Sequence, residues 1–383
     1  MNIFARISLS LSVVTVLAVV VGVPQRSLAD GAEFKPPFIH QWVAPGGPQI
    51  ASYNITKNEL RYAGDSIGAL NLKTGKLLWK RQGDSQTPDA GAFEGAKLYG
   101  EIQDYGIIAD NAATGRRIWT LRVPLPINNS VMCVDNRKLF VELRTGYITA
   151  LRASDHKVIW KVPLAPKGSK TKLNIDKIMA VGHQKLLVVA STLDFLHGAY
   201  TILCLSPSSG SVLWRMPVIP SIVSGIDRPL ACVADAKNMY VEDANRDMKA
   251  FSLRDGTIEW RQSNTGFAPT IGGTQIVSLW NGRLIAFNSA TGRKLWSVTL
   301  SKDTSEPWAA PTMRGSEIWV VGEDYLYCVA SSGKLRWKWP VQADLEAAPI
   351  FVRDGFLLSV DGSLIKFHHG TPQGHAHEYT RSL

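Results

Sequence analysis

Signatures of catalysis and cofactor binding are what this sequence lacks. Its four cysteines, Cys133, Cys204, Cys232 and Cys328, form no adjacent pair and no CxxC, so no redox dithiol, haem-attachment motif or disulfide framework can be read from them. There is no HExxH and no phosphate loop. Beyond residue 23 no apolar run is long enough to span a bilayer. Lys and Arg are dispersed rather than gathered into a stripe, which argues against nucleic acid as a partner. Histidine is scarce, and half of it, His368, His369, His375 and His377, sits near the C-terminus among Gly and Pro. Clustered imidazoles can take up a divalent metal, but a tail of this composition is not a designed site, and no metal is expected.

What is present is the composition of a packed protein, 45% hydrophobic and 19% charged. The formal net charge of +10 falls to +8 without Arg6 and Arg26, a moderate excess that suits acidic partners or an anionic surface. Arg6, the apolar run Ile7–Val23 and the small residues of Ser27-Leu28-Ala29 read as an export signal over residues 1–29, cleaved after Ala29. A retained anchor is the alternative, because 17 residues approach spanning length. No cysteine adjoins the cleavage site, so a lipoprotein is not expected; the chain is placed in the periplasm or outside the cell.

Seven segments end in tryptophan at intervals close to forty residues: ALNLKTGKLLW, ADNAATGRRIW, ALRASDHKVIW, CLSPSSGSVLW, AFSLRDGTIEW, AFNSATGRKLW and CVASSGKLRW, closing on Trp79, Trp119, Trp160, Trp214, Trp260, Trp296 and Trp337. Ala or Cys stands ten positions before six of these tryptophans. A period near forty built of short strands means a β-propeller. Each unit reads as a four-stranded antiparallel meander, as in Leu139–Leu143 and Tyr147–Leu151 around a tight turn. Glycine occupies the third turn in six units, and Asp155-His156 replaces Thr-Gly in the third unit. The tryptophans are expected to fill the gaps between blades, each burying roughly 150–250 Å², with the small residue making room for the ring.

The strands after Trp337 stop without a tryptophan strand of their own, whereas Trp42 stands in phase ahead of the first unit, 37 residues before Trp79. The N-terminal strand is therefore expected to complete the last blade and close an all-β, eight-bladed ring. Domain limits follow: signal peptide 1–29, one propeller 30–368 and a His-containing tail 369–383.

The AxDxxTGxxxW-like copies resemble the repeat of the quinoprotein alcohol dehydrogenase-like (PQQ-like repeat) propellers over nearly all of the mature chain. That resemblance implies the fold and leaves two activities open. Some members are pyrroloquinoline-quinone dehydrogenases, usually much longer, many with adjacent bridged cysteines beside the cofactor, a calcium site and an aspartate base. Others are non-enzymatic, including the propeller lipoproteins of the outer-membrane barrel-assembly machinery, which this chain matches in size. No motif here supports PQQ or calcium, so no catalytic, cofactor-binding or metal-ligating residue is assigned.

Turns between second and third strands share a face with the links between blades. That face receives Asp65, Asp104, Asp194, Asp247, Asp324 and Asp361, together with Asp89, Asp227, Glu306, Asp344 and Glu346, while the opposite face holds mostly Lys and Arg, from Lys73 to Arg353. Trp308, Trp280 and Tyr325 lie on the acidic side and are the candidate ligand contacts. The unit ending at Trp214 is longer than the rest, the excess lying in Ala165–Asp176 and Ser191–Tyr200, where a partner could bind. The expectation is a monomeric, non-catalytic propeller that binds a protein partner in the cell envelope. A quinone-dependent oxidoreductase and a carbohydrate- or other ligand-binding propeller are the alternatives.

Overall fold

The computed structural model describes residues 34–370 apart from 45–49, 65, 83–90, 103–105, 124–130, 170–171, 193–198, 217–218, 221–230, 243–245, 302–308, 323–324, 342–346 and 361. The expected signal peptide, most of the acidic face including Trp308, and the tail histidines His375 and His377 lie outside these residues. Among the described residues there is no helix, and hence none long and apolar enough to cross a membrane.

Eight antiparallel sheets follow one another along the chain. Blade 1 is built from Ile50–Ile55, Glu59–Gly64, Ser66–Asn71 and Leu77–Gln82, each strand paired with the next. Blades 2 to 7 repeat this meander over residues 91–122, 132–163, 173–220, 231–262, 267–299 and 312–340. Blade 8 joins the two ends of the chain. Ile350–Val352, Gly355–Val360 and Ser363–His369 supply three strands, and Phe38–Ala44 pairs with the last of them from Phe38 opposite His369 to Ala44 opposite Leu364. The ring thus closes as expected, and its last strand runs through His369, one residue past the limit drawn from sequence.

The excess residues of blade 4 are spent differently from the expectation. Leu173–Asp176 belongs not to a loop but to a nine-residue first strand, Leu173–Val181, and a short fifth strand, Ile219–Pro220, pairs with Ala199 and Tyr200. Lengthening a strand pairs its backbone groups, which a long loop would leave to solvent.

The hydrophobic core is not central but divided among the blade seams. Phe140, Ile148, Ile175 and Leu186 fill the seam between blades 3 and 4, and Leu187, Ile202, Val241 and Phe251 the next. Trp42, Leu60, Tyr62, Ile350 and Leu357 form the seam that joins blade 8 to blade 1. The first strands of neighbouring blades approach one another, so they line the axis. At the outer edge, Leu78, Val158 and Leu213 stay largely exposed on fourth strands.

Each repeat tryptophan sits in the fourth strand of its blade and faces the following blade. Trp42, Trp160, Trp214, Trp260 and Trp296 donate from Nε1 to the carbonyl oxygens of Leu72, Pro207, Leu253, Ser289 and Ser331 at 2.8–3.1 Å, and Trp119 donates to Ala153 at 3.2 Å. The buried Nε1 of Trp79 has no hydrogen-bond partner among the described residues. Trp337 donates to the Phe34 carbonyl at 2.9 Å, because the N-terminal segment stands where blade 8 has no turn to offer.

The small residue nine or ten positions earlier does not receive the ring. Ala69, Ala109, Ala150, Cys204, Ala250, Ala286 and Cys328 are the cross-strand partners of their tryptophans within the same blade, and a bulge follows each pair. The indole face meets the turn glycine of the next blade instead: a Cβ on Gly256 would stand 2.7 Å from the Trp214 ring. At the third repeat His156 takes the glycine's place at φ 52°, and its ring centroid lies 5.1 Å from that of Trp119.

Candidate functional site

The side chains that could meet a ligand are placed by the ends of second strands. Three of these strands carry an aromatic residue followed two positions later by glutamate: Tyr99 and Glu101, Phe140 and Glu142, Tyr240 and Glu242. Alternation puts both members on one face of the sheet. The aromatic ring packs on the blade's own tryptophan, with centroids 6.0, 5.7 and 5.8 Å apart, so that face looks toward the next blade. All three glutamates are buried.

Glu142 shows what such a carboxylate does. Its Oε1 accepts the Gly146 N–H of its own turn, and its Oε2 accepts the Ile175 N–H from the first strand of blade 4, both at 2.9 Å. Both oxygens are engaged by backbone, which ties two blades together beside the axis. Burial raises its pKa, and the two N–H donors pull it back only in part. Sequence reasoning missed these residues. The signal was there, a lone acid inside an apolar strand such as Lys138–Arg144.

Trp280 and Tyr325 lie at the same end of adjacent blades, Trp280 closing the second strand Gln275–Trp280 of blade 6 and Tyr325 opening the third strand Tyr325–Ala330 of blade 7. Both are half-buried, and each has a cation on its ring. The Arg246 guanidinium carbon lies 3.4 Å from the Trp280 ring centroid, and the Lys338 ammonium 4.6 Å from that of Tyr325. Arg246, from blade 5, has φ 63°, and its carbonyl oxygen accepts both the N–H and the Oγ1 hydroxyl of Thr265 at 3.0 Å.

The opposite face is less uniformly basic than its lysines and arginines suggest. Asp110, fully buried, accepts from Arg81 of blade 1 at 2.9 Å and from Arg117 at 2.5 Å. Glu317 pairs with Arg314 and Arg336, Lys185 donates to the Leu253 carbonyl oxygen at 2.7 Å, and His183 pairs with Asp135 across the seam between blades 3 and 4. These side chains are structural struts between and within blades. The four cysteines are free and buried, and burial raises the Cys133 thiol to about 12 and the Cys204 thiol to about 11.

A calcium-bound quinone needs a cage of six to eight oxygens around its metal. Among the described residues no group of three or more His, Cys, Asp or Glu side chains could hold a metal ion. The best-placed carboxylate, Glu142, has both oxygens committed to backbone N–H groups.

Repeat and topology together define the class, an eight-bladed propeller of PQQ-like repeats. The chain belongs to the family described as outer membrane protein assembly factor BamB, which matches residues 60–174, 144–306 and 280–373. Among solved structures, BamB from Moraxella catarrhalis is 14% identical and superposes on 90% of this chain and 100% of its own with a TM-score of 0.64. Quinohemoprotein alcohol dehydrogenase from Comamonas testosteroni is 12% identical over 86% of this chain and 76% of its own, at 0.60. The computationally designed Ika8 protein is 14% identical over 85% and 97%, at 0.64. At such identities the likeness is one of fold. No curated protein matches the chain.

Proposed function

We propose that this propeller is an exported, non-catalytic scaffold that binds a protein partner in the cell envelope. The family match carries the reading, because it spans residues 60–373 and its description is that of an assembly factor rather than an enzyme. Fold likeness alone does not choose, since a designed ring and a dehydrogenase superpose about as well as BamB does. The side chains lean the same way. Of the described groups at the hairpin ends, the Glu142 carboxylate and the Trp280 ring are engaged by neighbouring blades, which suits a rigid surface better than a reaction centre.

The test is affinity capture of the tagged, full-length protein from envelope extracts of its own cell, with quantitative comparison against an untagged control. A reproducible envelope partner is expected, and N-terminal sequencing of the captured protein is expected to begin at Asp30. Failure to recover a partner under several extraction conditions would overturn the scaffold. Turnover in a dye-linked alcohol or sugar oxidation assay after addition of pyrroloquinoline quinone and calcium would establish the oxidoreductase alternative in its place.

A further inference from the structure

We propose that the end of the ring formed by the first and third turns docks on an anionic lipid surface through blades 1–4, with turn cations on the headgroups and one aliphatic side chain per blade set between them. This is the end opposite the acidic one. The proposal goes beyond the scaffold reading and does not rest on it.

Three observations carry it. First, the residue just before the repeat tryptophan faces solvent, and in four successive blades it is aliphatic: Leu78 is 46% exposed, Ile118 45%, Ile159 41% and Leu213 50%. Blade 6 repeats the choice with Leu295, yet the fold does not require it, because Glu259, Arg336 and Gln41 hold the same place in blades 5, 7 and 8. One exposed leucine needs no explanation, but the same choice in four adjacent blades does. Second, each of these side chains stands two residues past the end of a third turn, and in blades 1–3 that end is Lys76, Arg116 and Lys157, all exposed. Lys76, Arg116 and Lys73 of the same turns enter no ion pair among the described residues, and Lys157 adjoins Asp155, which Arg152 already binds at 2.9 Å. Two residues of strand cover about 7 Å, within the roughly 5–10 Å to which apolar side chains enter the boundary of headgroups and acyl chains. Third, the third turns all lie at one end of a closed ring, so these groups share one level and meet a plane together.

Charge selects the occupant. The first and third turns of blades 1–4 are all described, and the acids in them and in the strand ends beside them are Glu59, Glu94, Asp110, Asp135 and Asp155. Arg61 binds Glu59, Arg81 and Arg117 bind Asp110, His183 pairs with Asp135, Arg152 binds Asp155, and Glu94 accepts the Arg137 N–H. The unpaired excess is therefore positive, and exposed Lys57 of a first turn adds to it. At blade 5, Asp235, Asp255 and Glu259 end the basic arc. At blade 8 the chain runs on into Asp30, Glu33, Glu378 and Arg381, outside the described residues, so the surface is drawn through blades 1–4 alone. A protein partner would bury a contiguous apolar core. Here the aliphatic side chains stand one to a blade, three of them with a cation two residues away, which suits separate insertion among anionic headgroups.

The experiment is co-sedimentation of the full-length protein, as its own cell produces it, with vesicles of phosphatidylcholine alone or of phosphatidylcholine and phosphatidylglycerol in equal parts. Saturable binding to the anionic vesicles, weakened by sodium chloride and much weaker on the neutral ones, is expected. K73E/K76E is expected to lower the partition coefficient at least about tenfold, and L78S/I159S about tenfold. K167E/K172E makes the same change in net charge in the link between blades 3 and 4, at the opposite end, and is expected to leave binding within about twofold. All six positions are exposed, and thermal unfolding checks that each variant keeps its fold. No binding to anionic vesicles, equal binding to both compositions, an equal loss in K167E/K172E, or unchanged binding in folded L78S/I159S would each overturn the proposal. So would a dimer of the free protein, seen by light scattering, that L78S/I159S abolishes, since it would give these side chains to a second copy of the chain. No protein partner enters the assay, so its outcome is separate from that of affinity capture.

Discussion

Trp42 and Lys366 face each other across the seam that closes the ring, and both donate to one acceptor, the Leu72 carbonyl oxygen, at 3.1 and 3.0 Å. In every other blade the position opposite the tryptophan holds Ala or Cys. Lys366 is 1% exposed, and its ammonium also meets the Asp354 carboxylate at 2.8 Å. Only the closing blade is made from two distant parts of the chain, and there a buried ammonium stands where the other blades have a small residue. The hydrogen bond of a buried ammonium is offset by its desolvation, so K366M, which keeps the stem, is expected to change stability by only about 1 kcal/mol. W42A removes a large buried ring and is expected to cost about 3–5 kcal/mol. Urea unfolding gives the order, and amide exchange over residues 38–44 and 364–369 gives the location. If W42A left exchange in those two strands untouched, the N-terminal strand would not be what holds the ring shut.

The turn glycines are constrained twice, by backbone and by the neighbouring indole. G256A forces a side chain to adopt φ 76° and puts a Cβ at 2.7 Å from the Trp214 ring. A destabilisation of about 1–3 kcal/mol is expected from such strain. His156 already occupies the equivalent place at φ 52°. H156G relieves that backbone but gives up the contact with Trp119, so the two effects oppose and the net change is expected to stay within about 1 kcal/mol. Thermal melts of the two variants side by side measure the contrast, and equal losses would show that the indole contact is not what selects glycine.

The ring was legible because it repeats. Seven tryptophans at one period, and an eighth in phase before them, gave blade number, strand order and the origin of the closing strand. The partner of each tryptophan was not legible. Periodicity places residues along a blade but does not say which blade an indole faces, so the recurring small residue was read as its socket, although the turn glycine of the following blade is what it meets, Gly115 for Trp79 and Gly256 for Trp214. Blade 4 was misjudged for a similar reason: extra residues in Leu173–Asp176 read as loop by length alone, whereas pairing with Lys185–Thr192 makes them strand. Of the candidate contacts, Trp280 and Tyr325 were put on the right end of adjacent blades, and Trp308 lies outside the described residues. Arg246 over Trp280 was invisible, since 34 residues separate them and no pattern links an arginine in one turn to an indole in the next.

Export, as proposed, would carry these thiols into an oxidising compartment, and burial is what protects the four. With Cys133 raised to about 12 and Cys204 to about 11, the thiolate that reacts is scarce near neutral pH, and access is blocked as well. Alkylation of the native protein at about pH 8 is expected to leave all four unmodified over a time that labels a free thiol completely. In urea, mass spectrometry is expected to find four adducts per chain. Rapid labelling of Cys133 in the native state would mean that the seam between blades 3 and 4 opens readily.

Glu142 bridges that same seam, and its titration has a definite sign. Burial raises its carboxyl in the folded ring above the ordinary value near 4.3 that it has in the unfolded chain. The folded state therefore keeps the proton to higher pH than the unfolded state does. Its contribution to stability is full below the unfolded value and is lost as pH rises from there through the raised folded value. Glutamine does not titrate, and its amide would turn an N–H toward either the Ile175 or the Gly146 N–H, leaving one buried donor without an acceptor. E142Q is therefore expected to be less stable than the wild type by about 1–3 kcal/mol near neutral pH. The gap is expected to be wider at about pH 4 than at about pH 7, because the wild type gains on acidification and the variant does not. Urea midpoints of both proteins across that range decide it. A gap that widens toward neutral pH would mean that the ionised carboxylate, not the protonated one, is favoured by the fold, and that the two N–H donors outweigh the cost of burying the charge.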